Sequence, residues 1–377
     1  MGTTSGTDAA RGPRYAAEHP ERETPSAPIR QAPPREVDPH ALVEDASARE
    51  SLGAFARRPP GAAATAAVTG IGTAEPEKTP AQQRLDAYRA TYAGPYRVDG
   101  QSVTASPQFR MNHGQNQANA PYLPGKGVDR KSEHGLALLA ACSRAHVSEQ
   151  ALCHCLVGGP TASELRSVTQ ALIDAGMLPS GPGSVQARIK TMQWQHGIGI
   201  DCTDYVIGGA MAANGKTRAQ IEIPYGDTTL PMTASDYFLS ADANPHLVRT
   251  DARHAKTGDV FCLTPTPPET IGHRAVVYAN TTLDGPRIAE LAHEHGSIVS
   301  RFAQGGPVHA IEVDASWGAG PHGGSWGGVR RDTWLYNEST KQWAELNQRQ
   351  EEGRPATFEL TPHGPADEKL HGVYRFR

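Results

Sequence analysis

The hydrophobic period of this chain changes once, and that change bounds its fold. As far as Met211 the larger apolar residues recur at helical spacing. From Gly258 onward they recur in short alternating runs. A period near 3.6 marks helices with one buried face, and a period of 2 marks strands. Helices followed by strands point to an α+β domain rather than to alternating βαβ units.

The helical half carries clear start signals. Thr79-Pro80 pairs a cap with proline at the first helical position, and Leu85, Tyr88 and Tyr92 follow at helical spacing. Residues 94–130 are rich in Gly, Pro and Asn and read as loop. One helical region is expected over 132–156, broken by Gly158-Gly159-Pro160. Thr161-Ala162-Ser163-Glu164 is a capping box, and its helix ends at Gly176. Ser184 caps a further helix that runs to His196-Gly197.

Next comes Gly197-Ile198-Gly199-Ile200-Asp201-Cys202-Thr203-Asp204. Asp201 is a good N-cap, which puts Cys202 at the first helical position. Unpaired N–H groups and the positive end of the helix dipole favour a thiolate there. Asn214-Gly215 is the expected stop. The competing assignment for Cys202 is a small buried hydrophobe.

Strands are expected at 260–263, 272–279, 307–316 and 372–377. Alternation places His273, Ala275 and Val277 on one face, and Ala310, Glu312, Asp314 and Ser316 together on one face of a later strand. A helix-borne Cys202 followed by a strand-borne His273 suits thiol chemistry, with the imidazole as base and a third polar residue orienting it. Asp314 is the expected third residue and Glu312 its rival. Oxyanion donors would include the Cys202 N–H and a group from Trp194 or Gln195. Trp317 and Trp326 flank a Gly-rich loop, and they suit either a substrate wall or packing.

The order Gly-Ile-Asp-Cys, then Gly258-Asp259-Val260, then Gly272-His273 with Tyr278 beyond resembles the NlpC-like family of papain-fold cysteine peptidases, and less closely its CHAP relatives. The resemblance covers about residues 184–335. It implies a papain-like core, with Cys202 as nucleophile, His273 as base and Asp314 less surely as third residue. It also implies cleavage of amide bonds in peptidoglycan stem peptides. Thr203-Asp204 stand where the family has Ser-Gly, and the interval from Cys202 to His273 implies an insertion around 214–257.

Three functions stay open: a cysteine amidase or peptidase acting on peptidoglycan, an exported effector that cleaves or deamidates a host protein, and a non-catalytic peptide- or glycan-binding module on the same scaffold. The expected organisation is a disordered tail at 1–78, a helical and loop-rich subdomain at 79–183, and the hydrolase-like domain at 184–377.

Composition narrows the field. A formal net charge of −4 and a pI near 6.5 argue against nucleic acid. No apolar run reaches the ~18–20 residues of a membrane span, and no secretory signal pattern is expected at the N-terminus. The compartment stays open between the cytoplasm and export by a non-classical route. Five cysteines, Cys142, Cys153, Cys155, Cys202 and Cys262, do not suggest a disulfide framework. Neither Cys153-His154-Cys155 nor His293-Glu294-His295 has metal-ligand spacing, so no metal or other cofactor is expected.

Overall fold

The architecture comes from a computed structural model that describes residues 77–110, 121–123, 126–217, 247–264, 273–317, 327–347, 357–361, 364–365 and 369–377. The expected tail, the Gly-rich loop with Trp326, and most of the expected insertion lie outside the described residues. Residues 74–377 form one compact unit.

The helical half contains α1 (Pro80–Tyr92), α2 (Glu133–Arg144), α3 (Glu149–Val157), α4 (Ala162–Asp174), α5 (Val185–Gln195) and α6 (Cys202–Asn214). Thr161 closes the capping box its sequence predicts, and Thr79, expected as a cap before Pro80, closes one as well with Gln82. The helical region expected over 132–156 consists of two helices. Ala145 caps the first, His146 takes a left-handed φ of 55°, and the Ser148 side chain caps the second. A cap of that strength starts a new helix wherever the chain can turn before it. Two small hairpins, β1 (Tyr96–Val98) with β2 (Gln101–Val103) and β3 (Tyr122–Leu123) with β4 (Gly127–Val128), lie in the region read as loop.

The second half is an antiparallel sheet. Its strands are β5 (Leu247–Thr250), β6 (Val260–Thr264), β7 (Arg274–Leu283), β8 (Val308–Trp317), β9 (Gly328–Asn337), β10 (Trp343–Asn347), β11 (Thr357–Thr361) and β12 (Lys369–Phe376). The spatial order is β11-β10-β9-β8-β7-β6-β12-β5. Two helices missed by the sequence reading, α7 (Gly285–His295) and α8 (Ser297–Phe302), join β7 to β8. Asp284 caps the first, with Pro286 in its opening turn.

Helices α1 to α8 gather on one face of the sheet. Leu85, Leu138, Leu156, Leu165 and Val206 share a core with Val260, Cys262, Val276 and Tyr374. That core crosses position 183, so the helical part and the sheet bury their apolar faces against each other. Helices α7 and α8 pack against Val308, Leu335, Ala344 and Leu346. By strand alternation these residues share the face of Asp314.

The opposite face curls on itself. Phe261 on β6 and Trp343 on β10 are four strands apart, about 19 Å in a flat sheet. Their ring centroids are 5.9 Å apart. Phe261, Leu263, Ala275, Val277, Ile311, Val313, Trp334 and Val373 fill this inner face and are fully buried.

Candidate functional site

Cys202 begins α6 as the sequence predicts. The Asp201 carboxylate accepts from the Thr203 N–H at 2.7 Å and caps the helix. The segment leading to it is clamped by residues 106–110, whose role the sequence reading left open. Ile200 N–H donates to the Gln108 carbonyl, and Arg110 N–H donates to the Ile200 carbonyl. Gln193 Oε1 accepts from the Gln108 N–H, and its Nε2 donates to Thr169. Ser316 on β8 donates to the Ile200 carbonyl at 2.8 Å. Gly199 is required by this close approach, because a Cβ there would lie 2.3 Å from the Gln108 carbonyl oxygen.

Cys202 is buried, 7% exposed as a residue. Its thiol lies 3.9 Å from the Thr203 hydroxyl and faces the Arg274 backbone N–H at the start of β7. Burial, followed by the Asp201 carboxylate, pushes the thiol pKa well up. The nearby Arg274 charge, the Thr203 hydroxyl and the Arg274 N–H act the other way and only partly offset it. Cys262, the cross-strand partner of Arg274, is pushed up to about 12 by burial. Cys202 is therefore a thiol in this arrangement, despite its place on the helix.

His273 lies immediately before β7 and belongs to the other side of the sheet. It exchanges both backbone hydrogen bonds with Leu263, an inner-face residue. Residues paired this way project to the same face. Its ring stacks on Trp317, with centroids 4.0 Å apart and planes at 29°. Burial, then the Arg274 and Arg330 guanidiniums, lower the imidazole pKa to about 3. His273 is 8% exposed, and its Nε2 has no hydrogen-bond partner among the described residues. The Trp317 and Trp334 indole N–H groups are also buried without a partner among the described residues. The structure thus brings Cys202 to the strand that carries His273 but sets the two side chains on opposite faces.

Asp314 is not placed to orient His273, which corrects the expected third position. It pairs in register with Val276 and Arg331 on the helix-bearing face. Its carboxylate is 0% exposed and takes two hydrogen bonds from Arg331, at 2.7 and 2.8 Å. Arg331 also reaches Asp86 on α1 at 3.0 Å, and its guanidinium lies 3.2 Å from the Tyr278 ring centroid. Tyr278 donates to Asp86 in turn. This network ties α1 to the sheet. Glu312 shares the Asp314 face, pairs with Ala279 and Thr333, and is likewise not opposite His273.

Comparison with known protein families, curated proteins and solved structures finds no match.

The other expected site residues are scattered. Trp194 is half-buried on α5, and Gln195 is exposed beside it. Trp317 reaches His273, and Trp326 lies outside the described residues. His154 binds Glu164 at 2.8 Å. Among the described residues no cluster of three or more His, Cys, Asp or Glu could hold a metal ion, and no helix is long and apolar enough to cross a membrane.

Arg330 and Asp332 went unnoticed in the sequence. Both sit on the inner face, where Arg330 Nε binds the Asp332 carboxylate at 2.9 Å and its guanidinium lies 4.9 Å from the Trp317 ring centroid. Burial raises the Asp332 pKa, with Arg330 opposing. Alternation along Gly328-Val329-Arg330-Arg331-Asp332 was the available signal, since it separates Arg331 from its two charged neighbours.

The curl leaves a seam. Arg249 and Thr250 of β5 and Leu370 to Val373 of β12 face Tyr336, Lys341 and Trp343 across a cleft of about 400 Å³. That volume is within the range of small-ligand sites.

Proposed function

We propose that this protein is a binding module, built on a helix-on-sheet scaffold, that recognises a peptide or glycan on the inner side of its curled sheet. One observation carries this reading: Cys202 and His273 occupy opposite faces of the β7 strand. A thiol nucleophile needs its base within hydrogen-bond reach. Here the thiol meets Thr203 and Arg274, while the imidazole meets Trp317. The raised thiol pKa agrees with that separation.

A second reading is a cysteine hydrolase with a papain-like, NlpC-like core, acting on an amide bond of a peptidoglycan stem peptide or of a host protein. The Asp201-capped turn that presents Cys202 favours it. In that reading His273 must come to the thiol for the proton to move.

Iodoacetamide labelling of Cys202 against pH, read by peptide mass spectrometry, separates the two. The binding reading expects a labelling pKa above the ~8.5 of a free thiol, unchanged by His273→Ala. A labelling pKa below that value which rises in the variant overturns it in favour of the hydrolase.

A further inference from the structure

The seam cleft has a chemical character of its own. Its floor is apolar and aromatic: Trp343 and Tyr336 have ring centroids 4.7 Å apart, and Val373 lies beside them. Its two walls come from opposite ends of the sheet, and each carries a cation. Arg249 pairs in register with Tyr374, so its side chain leaves β5 on the helix-bearing side, and its guanidinium reaches the cleft rim by donating to the His371 carbonyl at 2.5 Å. Lys341 sits in the β9–β10 turn with its ammonium 5.7 Å from the Tyr336 ring centroid. That turn is shaped for the purpose. Asn337 Oδ1 accepts from the N–H groups of Ser339 and Thr340, and Lys341 is held at φ 59°.

The rim carboxylate, Asp251, is already engaged. It accepts from the Arg253 N–H at 3.0 Å and lies 3.6 Å from the Arg253 guanidinium. Lys341 makes no ion pair within 4 Å among the described residues, and the Glu338 carboxylate lies near enough to feel its charge. The cleft therefore has positive charge to offer above a ring-lined floor. Its β5 wall pairs, among the described strands, with β12 alone.

Cations over an aromatic floor, next to a strand with one partner among the described residues, suit an extended chain that ends in an anion. We infer that the seam cleft captures the free carboxyl terminus of a short peptide, with the carboxylate between Lys341 and Arg249 and the last side chain over Trp343. This rests on the binding reading and names the ligand for it.

The test uses acetyl-Ala-Ala-Phe as the free acid and as its amide, titrated into the whole protein by calorimetry. The acid is expected to bind at least tenfold more tightly than the amide. Lys341→Asn, a residue that tolerates the left-handed turn, should remove most of that preference, and so should Arg249→Gln. Equal binding of acid and amide, a preference that survives both variants, or no binding of either peptide overturns the inference. The reading beneath it fails separately. If Cys202→Ala abolishes cleavage of a peptide that wild type hydrolyses, the binding reading falls. If Cys202→Ala binds like wild type but without preference for the acid, only the carboxylate inference falls.

Discussion

On the helix-bearing face of the sheet, Asp314, Arg331, Asp86 and Tyr278 close into a chain of charge-assisted hydrogen bonds. On the inner face, His273, Trp317 and Trp334 each bury a ring nitrogen without a partner among the described residues. The first arrangement holds α1 on the sheet. The second leaves hydrogen-bonding capacity unused, and a buried donor without a partner costs about 1–3 kcal/mol. Natural interiors tolerate few such groups. The Tyr205 hydroxyl on the helix-bearing side is also without a partner among the described residues, so the contrast lies in the rings gathered around His273 rather than in polar groups at large.

The sharpest way to break this contrast is Arg331→Met. It strands the Asp314 carboxylate in the interior and should cost about 3–5 kcal/mol in chemical denaturation. A loss under 1 kcal/mol would mean that the network is not what fastens α1.

The inner face predicts a pH dependence. The folded His273 pKa of about 3 lies below the unfolded value near 6.5, so between those limits the unfolded chain binds the proton first. Stability is then full above about 6.5 and falls with decreasing pH, at about 1.4 kcal/mol per pH unit for one such group. His196, lowered to about 4 by burial and by His134, acts over part of the same window. His273→Gln should flatten the acid limb without abolishing it, as read from urea midpoints at pH 6.5, 5 and 4. An unchanged limb would place His273 in contact with solvent.

Cys202→Ala is expected to be milder, about 1 kcal/mol for a buried sulfur. It should leave ligand binding unchanged, and loss of binding on that substitution would move the functional centre to the helix face. Smallest of all, Trp317→Phe keeps the stacked ring and removes an unpartnered N–H. Its thermal midpoint should shift by less than the equivalent of about 1 kcal/mol. A larger loss would reveal a partner for that nitrogen.

Much of the local structure was legible. The caps at Thr79, Thr161, Ser184 and Asp201 all begin helices, because an N-cap acts on the next three residues and needs nothing distant. Strands β6, β7, β8 and β12 were legible from their alternation. The β9–β11 strands were not anticipated, and neither were α7 and α8, although Asp284-Gly285-Pro286 is a start signal. The 106–110 clamp was out of reach too, because its bonds join residues as far apart as Ser106 and Val329.

The alternation that put His273 with Ala275 and Val277, and Asp314 with Ser316, was contained in the sequence. So was the placement of Cys202 at the head of a capped helix. Which face of the sheet that helix covers was decided only by tertiary packing. Periodicity separates two faces but does not label them, and register across neighbouring strands depends on contacts between residues far apart in the chain. Packing put Cys202 against Arg274, gave Asp314 to Arg331, and left His273 stacked on Trp317 inside the curl.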